Sequence, residues 1–336
     1  MVRLTQLDVA HRVGVSQKAV SFALSSNPRL NRKLRTETRQ RILDTVQQMG
    51  YAPHHAARSL RSGKTYTIVL ATLASLKYAY VHDLYEQMEL ALTEHGYHLD
   101  LKLLAHAKDP AGVYRSFTPG RCDGVISSNI LPLYHDELRC LRRQGMPVVT
   151  MDIETSADLD NVYFDLAEDA EIGTRHLLEQ GYRGIVFVVN ASEDSARRAW
   201  RQGYERALKS AGMALNESYL IPWRVGDDPQ LLWQKIAALQ PHPGGLLVYN
   251  AEVAAQLSRV IRAEGVRVPE VLGMVSCGDA EFNNYLDVPI TAVKTDHRGI
   301  ASAVVERLMA QIKYPRTPAQ HIWVKPSLVV RASSQK

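Results

Sequence analysis

The chain has 336 residues, 46% of them apolar and 22% charged, which describes a globular protein of two or three units. No run approaches the ~18 uninterrupted apolar residues of a membrane span, and the N-terminal MVRLTQLDVA lacks the apolar core of a signal peptide, so a cytoplasmic protein with no membrane partner is expected. The net charge of +5 hides an asymmetry: residues 1–64 hold twelve Lys/Arg against three Asp/Glu, whereas the remainder is slightly acidic. A basic head on such a body is the electrostatic footprint of a nucleic-acid reader, because Lys and Arg displace phosphate counterions.

The head opens on TQLDVAHRVGVSQKAVSFAL, residues 5–24, which reads as two short helices around a turn at Gly14. Thr5 is expected to cap the first helix, with Asp8 reaching back three residues later as in a capping box. Gly14 supplies the positive φ of a sharp turn, and Ser16 caps the second helix. Val20, Ala23 and Leu24 return to the core, leaving Gln17, Lys18, Ser21 and Phe22 outward, where a second helix meets base edges in a DNA major groove. A generic two-helix hairpin is the plainer alternative. A polar, basic loop, SSNPRLNRKLR, follows. A third helix then spans about 36–49, with Ile42, Leu43, Val46 and Met49 as its apolar stripe; Gly50 and Pro53 end it.

Residues 54–65, HHAARSLRSGKT, form a short basic segment too short to be a stable helix alone. One reading is a helix that folds on DNA, with Leu60 as an apolar wedge in the minor groove between Arg58 and Arg61. The other is a plain linker with an incidental leucine.

From residue 66 the pattern changes to alternation. Strands are expected at 67–71, 98–104, 123–127, 147–151, 184–189, 245–249, 271–277 and 290–295, with helices at 81–95, 135–144, 168–180, 196–211, 229–239, 252–264 and 297–312. Such alternation implies parallel sheets with helices on both faces. A pause near 152–165 suggests two similar α/β lobes, and ligands in such folds bind beyond the carboxyl ends of the strands. Cys122, Cys140 and Cys277 fit no metal spacing and leave one unpaired, so reduced core thiols are expected. No phosphate-cradling GxxxxGK, HExxH or GxSxG occurs and no nucleophile–base set can be assembled, so neither an enzyme nor a cofactor is expected. A pure small-molecule binder is the alternative of another class; the basic head and the lack of a signal peptide argue against it.

The motifs DVAHRVGVSQKAVSFAL and ETRQRILDTVQQMGYAPHHAARSLRSGKT, with HLLEQGYRGIVFV, RQGYERALKSAG, VPEVLGMVSCGDAEF and PSLVVRAS in the same order, resemble the LacI/GalR family of bacterial transcription regulators over the whole chain. The resemblance implies a helix-turn-helix head (1–53), a hinge (54–65) and a two-lobed periplasmic-binding-protein-like body (66–336). The N-lobe would take about 66–165 and 296–324, the C-lobe about 166–295 and 325–331. It implies a repressor that binds a pseudo-palindromic double-stranded operator as a homodimer under control of a small-molecule effector, a sugar, sugar derivative or other small metabolite. Gln17, Lys18, Phe22 and Leu60 carry over as base readers, and Thr5, Ser16, Ser21, Arg58 and Arg61 as backbone contacts. Tyr80, Asn250 and Asp279 carry over to the effector cleft. Three departures stand out. Phe22 replaces a polar reader, commonly Arg or His, and the loop before the third helix is longer by about four residues (by eye). Trp200 stands where an arginine is usual, with Arg197, Arg198 and Arg201 nearby to substitute. A regulator with a degenerate cleft is the runner-up. The C-terminal SSQK has no leucine-heptad tail, which favours a dimer over a zippered tetramer.

Overall fold

The computed structural model describes residues 4–24, 28–51, 63–76, 78–105, 107–129, 134–151, 153, 155–191 and 194–336. The chain divides into two compact units, Met1–Tyr66 and Thr67–Lys336. Among the described residues, no helix is long and apolar enough to cross a membrane.

The first unit is helical: α1 (Gln6–Val13), α2 (Gln17–Ala23), a short α3 (Pro28–Asn31) and α4 (Thr36–Gln48). The capping box forms: Asp8 Oδ2 accepts from the Thr5 amide at 2.7 Å, and Thr5 Oγ1 accepts from the Asp8 amide at 3.4 Å. The Thr5 hydroxyl beside it holds the exposed Asp8 carboxyl below its usual pKa. Gly14 sits at φ 76°, in the left-handed region where a Cβ is costly. Val9, Ala10, Val13, Val20, Ala23, Ile42 and Tyr51 are buried together, with Leu34 and Val46 packed against them. Arg41 Nη2 donates to the Val13 carbonyl at 3.0 Å, tying α4 to the open end of α1.

The second unit is built on two six-stranded sheets. The first runs β11-β5-β4-β3-β1-β2, all parallel, from β1 (Thr67–Thr72), β2 (His98–Leu103), β3 (Gly124–Ser128), β4 (Val148–Met151), β5 (Asp160–Phe164) and β11 (His321–Val324). The second runs β12-β10-β9-β8-β6-β7, from β6 (Ile185–Asn190), β7 (Leu220–Trp223), β8 (Gly245–Val248), β9 (Gly273–Cys277), β10 (Thr291–Lys294) and an antiparallel β12 (Ser327–Val329). The chain therefore passes from one sheet to the other after β5, after β10 and after β11. Helices α5 (Ala79–Glu94), α6 (Pro110–Arg115), α7 (His135–Arg143) and α12 (His297–Lys313) belong to the first lobe. Helices α8 (Leu166–Glu179), α9 (Asp194–Ser210), α10 (Pro229–Ala237) and α11 (Ala251–Ala263) belong to the second.

Four strands escape a hydrophobic-run reading. β5 begins with Asp160 and Asn161, which are polar yet buried at 1% and 0% exposure. The Asp160 carboxylate is matched by Arg307 Nε at 2.7 Å, Gln311 Nε2 at 2.5 Å and the Gln320 amide at 2.9 Å, which satisfies a charge that burial would otherwise penalise. β7 carries Pro222, which an edge strand tolerates, and β11 and β12 are short edge strands. One expectation is corrected: Cys122 and Cys277 are buried free thiols, but Cys140 is exposed, because it lies on the outer face of α7 while Leu138 and Leu141 take the inner one.

Candidate nucleic-acid interface and inter-lobe cleft

The candidate reading face of the head is set by α2. Ser16 Oγ accepts from the Ala19 amide at 3.2 Å, which caps the helix and fixes its first turn. Val20 and Ala23 are buried, so the helix cannot rotate without exposing them. Gln17 and Lys18 are then exposed, and Ser21 and Phe22 half-buried. Phe22 follows Lys18 by four residues, on the same face. The Lys18 ammonium lies 5.7 Å from the Phe22 ring centroid, and that of Lys33, from the turn after α3, lies 5.6 Å from it. Thr5 and Ser16 are exposed, at the starts of α1 and α2. Leu60, Arg58 and Arg61 lie outside the described residues.

The second candidate site is the seam between the two lobes. On the first lobe, Tyr80 stacks on Tyr78 with centroids 5.9 Å apart and planes 14° apart. Tyr78 occupies the N-cap of α5 without a side-chain hydrogen bond, and the first turn of α5 holds no acid. The missing acceptor comes from the other lobe: Glu252 Oε1, in the first turn of α11, accepts from the Ala79 amide at 3.1 Å. Asn250 caps α11 through Oδ1, which accepts from the Val253 amide at 3.0 Å. Tyr249 packs on Trp200 at 5.7 Å between centroids. Trp200 is 7% exposed, and its indole Nε1 is buried without a hydrogen-bond partner. Tyr80, Asn250 and Trp200 are thus linked through Tyr78, Ala79, Glu252 and Tyr249. Sequence reading singled out none of these four; the signal available for Glu252 was an acid two places after Asn250.

Asp279 is placed differently. Its carboxylate is gripped by Arg331, Nη1 to Oδ1 at 2.9 Å and Nη2 to Oδ2 at 3.0 Å, and Asn283 Nδ2 donates to Oδ1 at 3.2 Å. Arg197 is half-buried on α9. Arg201 is spent on Glu205, at 2.6 Å, and on Glu217, while Arg198 lines a groove of about 610 Å³ with Ile153, Phe164, Leu166, Gln202 and Trp323. None of Tyr80, Arg197, Trp200, Asn250 and Asp279 lines that groove. In the first turn of α8, Asp169 is buried at 6% exposure, and burial, reinforced by Asp165 and Glu168, pushes its pKa up to about 8. The neighbouring Cys277 thiol is pushed well up by its own burial, the larger cause, and secondarily by the Asp169 carboxylate. Among the described residues, no group of three His, Cys, Asp or Glu side chains could hold a metal ion.

Residues 5–54 match the model of "Bacterial regulatory proteins, lacI family", and residues 174–334 match that of a "Periplasmic binding protein-like domain". The chain is 25% identical over 336 residues to the HTH-type transcriptional repressor PurR of Vibrio vulnificus, covering 98% of each chain. Among solved structures, the lac repressor dimer bound to operator and the anti-inducer ONPF superposes with a TM-score of 0.79 at 19% identity, covering 99% of this chain and 100% of that one. The complex of the transcriptional regulator CelR with cellobiose gives 0.71 at 20% identity, covering 98% and 100%.

Proposed function

This chain belongs to the lacI family of bacterial regulatory proteins, and from that premise we propose that it is a transcriptional repressor. It binds a pseudo-palindromic double-stranded operator as a homodimer, and a small-molecule effector in the inter-lobe cleft tunes that binding. The observation that carries the DNA half is the capped α2, which leaves Gln17, Lys18 and Phe22 together on the outer face of a strongly basic unit. Gln17 and Lys18 are the hydrogen-bonding readers; Phe22 packs on a thymine methyl, since it cannot bond bidentately to guanine. Thr5, Ser16 and Ser21 sit where phosphates pass, and Leu60, Arg58 and Arg61 form the minor-groove hinge contact. Relatives of the family are regulators, and the reading contains no catalytic step.

For the effector, Trp200 and Asn250 offer donors, while beside Asp279 the buried Asn283 Oδ1 is an acceptor without a partner. Trp200 Nε1–H lacks a partner. Asn250 has spent its oxygen on a cap, which leaves its amide hydrogens. Asp279 is spent on Arg331. An acceptor-rich metabolite, such as a sugar acid, complements that set better than a neutral polyol does. The commitment of Asp279 also favours a second reading, in which the cleft takes no ligand. A differential scanning screen of the full chain against sugars, sugar acids, polyols and nucleosides separates the two, since a ligand at a hundred times its Kd stabilises the bound form by about 2.7 kcal/mol. Stabilisation by a sugar acid that disappears in Trp200→Ala is the expected result. No stabilisation by any class favours the ligand-free reading. For the DNA half, Gln17→Ala with Lys18→Ala is expected to abolish enrichment of one duplex sequence from a random pool while leaving weak, salt-sensitive binding to any duplex. Unchanged enrichment would sink the assignment of α2.

A further inference from the structure

The geometry points to Lys33, a residue outside the recognition helix, as a determinant of operator sequence: we propose that Phe22 and the two lysines on its ring act as one composite reader. Phe22 meets a thymine methyl, and Lys33, with Lys18, meets guanine acceptors at the flanking base pairs. This rests on the reading of α2 as the recognition helix and adds to it a residue from the following turn.

The basic segment before α4 folds into α3 and a turn in which the Lys33 amide donates to the Leu30 carbonyl at 3.1 Å and the Leu34 amide to that of Asn31 at 3.1 Å. Leu34 is packed against the head core, which anchors the turn. Lys33 is the residue just before that anchor, and its side chain is exposed. Its ammonium reaches the same ring that Lys18 reaches, 5.6 Å and 5.7 Å from the centroid respectively. A flexible lysine on an anchored turn is thereby held at the reading face, beside the ring, instead of trailing toward the phosphates.

Among the described residues, neither ammonium has a carboxylate partner. Two like charges share one aromatic ring, an arrangement whose repulsion is relieved by an acceptor. Phe22 supplies no hydrogen bond, so the base pair beneath it is read through shape and methyl contact alone. The hydrogen-bonding information lost at that position returns from both sides. Guanine, with its N7 and O6 acceptors in the major groove, is the base that an ammonium selects.

The test enriches binding sites from a random duplex pool with the full chain and with Lys33→Gln, Phe22→Leu and the double variant, followed by titration on the enriched duplex and its single-base variants. The wild type is expected to enrich a pseudo-palindrome with guanine beside a T·A pair in each half. Lys33→Gln should lose about tenfold of its preference at one guanine and little elsewhere. In the Phe22→Leu background, which keeps the apolar contact and removes the ring, that loss should shrink to about twofold. If Lys33→Gln weakens every duplex equally and lowers the salt slope by about one, Lys33 is a phosphate contact and the inference fails. It also fails if the loss is the same with and without the Phe22 ring, or if Lys33→Gln changes nothing. If the wild type itself enriches no sequence, the DNA-reading assignment fails instead. Lys33 is exposed, so its loss should leave the melting temperature unchanged, which separates reading from folding.

Discussion

The hydrogen bond from the Ala79 amide to Glu252 makes a sharp test of how the two lobes are coupled. Glu252 stands in the first turn of α11 in the second lobe, yet its carboxylate serves as the side-chain cap that α5 of the first lobe lacks. Opening the cleft must break that bond and leave an N-terminal amide of α5 to water. Removing a helix cap typically costs ~1 kcal/mol, and a carboxylate at a helix N-terminus adds ~0.3–1 kcal/mol by its charge. Because the contact is half-buried and solvent screens it, the sum is cut to about 1 kcal/mol in favour of the closed form, which is about fivefold in the closing equilibrium. Glu252→Ala should raise amide hydrogen exchange in the peptide that begins α5 by about that factor. The peptide spanning α11 should be little affected, because Asn250 still caps that helix at 3.0 Å. Glu252→Gln, which keeps an oxygen acceptor but no charge, should fall between. An effector that favours the closed form should bind Glu252→Ala about fivefold more weakly by calorimetry. Unchanged exchange at the start of α5, or equal loosening of both helices, would refute the reasoning: Glu252 would then only support its own helix.

Three further outcomes follow from the core. Asp169 binds a proton in the folded chain up to about pH 8 but in the unfolded chain only near 3.8, so it contributes stability at low pH that is lost as pH rises through that window. Asp169→Asn should therefore melt progressively above the wild type from about pH 4 to pH 8, with a constant difference beyond; a pH-independent difference would contradict the assigned environment. Gly203→Ala would place a Cβ 1.8 Å from the Ala167 carbonyl oxygen where α9 crosses α8, and backbone cannot yield as a side chain can. A loss of about 3 kcal/mol in denaturant unfolding is expected, and a change below about 1 kcal/mol would mean that the helices separate freely. Native thiol labelling should modify Cys140 alone, since Cys122 and Cys277 are buried and burial pushes the Cys122 thiol up to about 11. Comparable labelling of either buried thiol in the native chain would mean that its lobe opens.

What could be read in the chain beforehand was local. The Thr5–Asp8 box, the left-handed Gly14 and the Ser16 cap each involve residues at most three apart, and each is where the residue types place it. The alternation of strands and helices was equally legible, because buried parallel strands are near-continuous apolar runs. β5 hid because its polar start is satisfied by Arg307 and Gln311, from a helix about 150 residues further along. β7, β11 and β12 hid because edge strands tolerate proline, polar and exposed residues.

The site residues that sequence reading missed share one property: their roles arise from contacts between segments distant in the chain or turned by an unforeseen element. Glu252 acts across 173 residues. Arg331 takes Asp279 across 52, so an acid in a family position is present in the sequence while much of its bonding capacity is already used in the fold. Lys33 is only eleven residues from Phe22 and still could not be placed, because its position depends on how α3 turns and where Leu34 anchors. A motif match fixes which residue types stand at a site, but the donors and acceptors left over for a ligand depend on what the rest of the chain has already bound. Two sets of donors are left over in this protein: the buried Trp200 indole, and at the head two ammonium groups on one ring. On the proposed reading, both would be met by acceptor-rich partners: guanine edges at the head, and in the cleft a ligand bearing carboxylate or carbonyl oxygens.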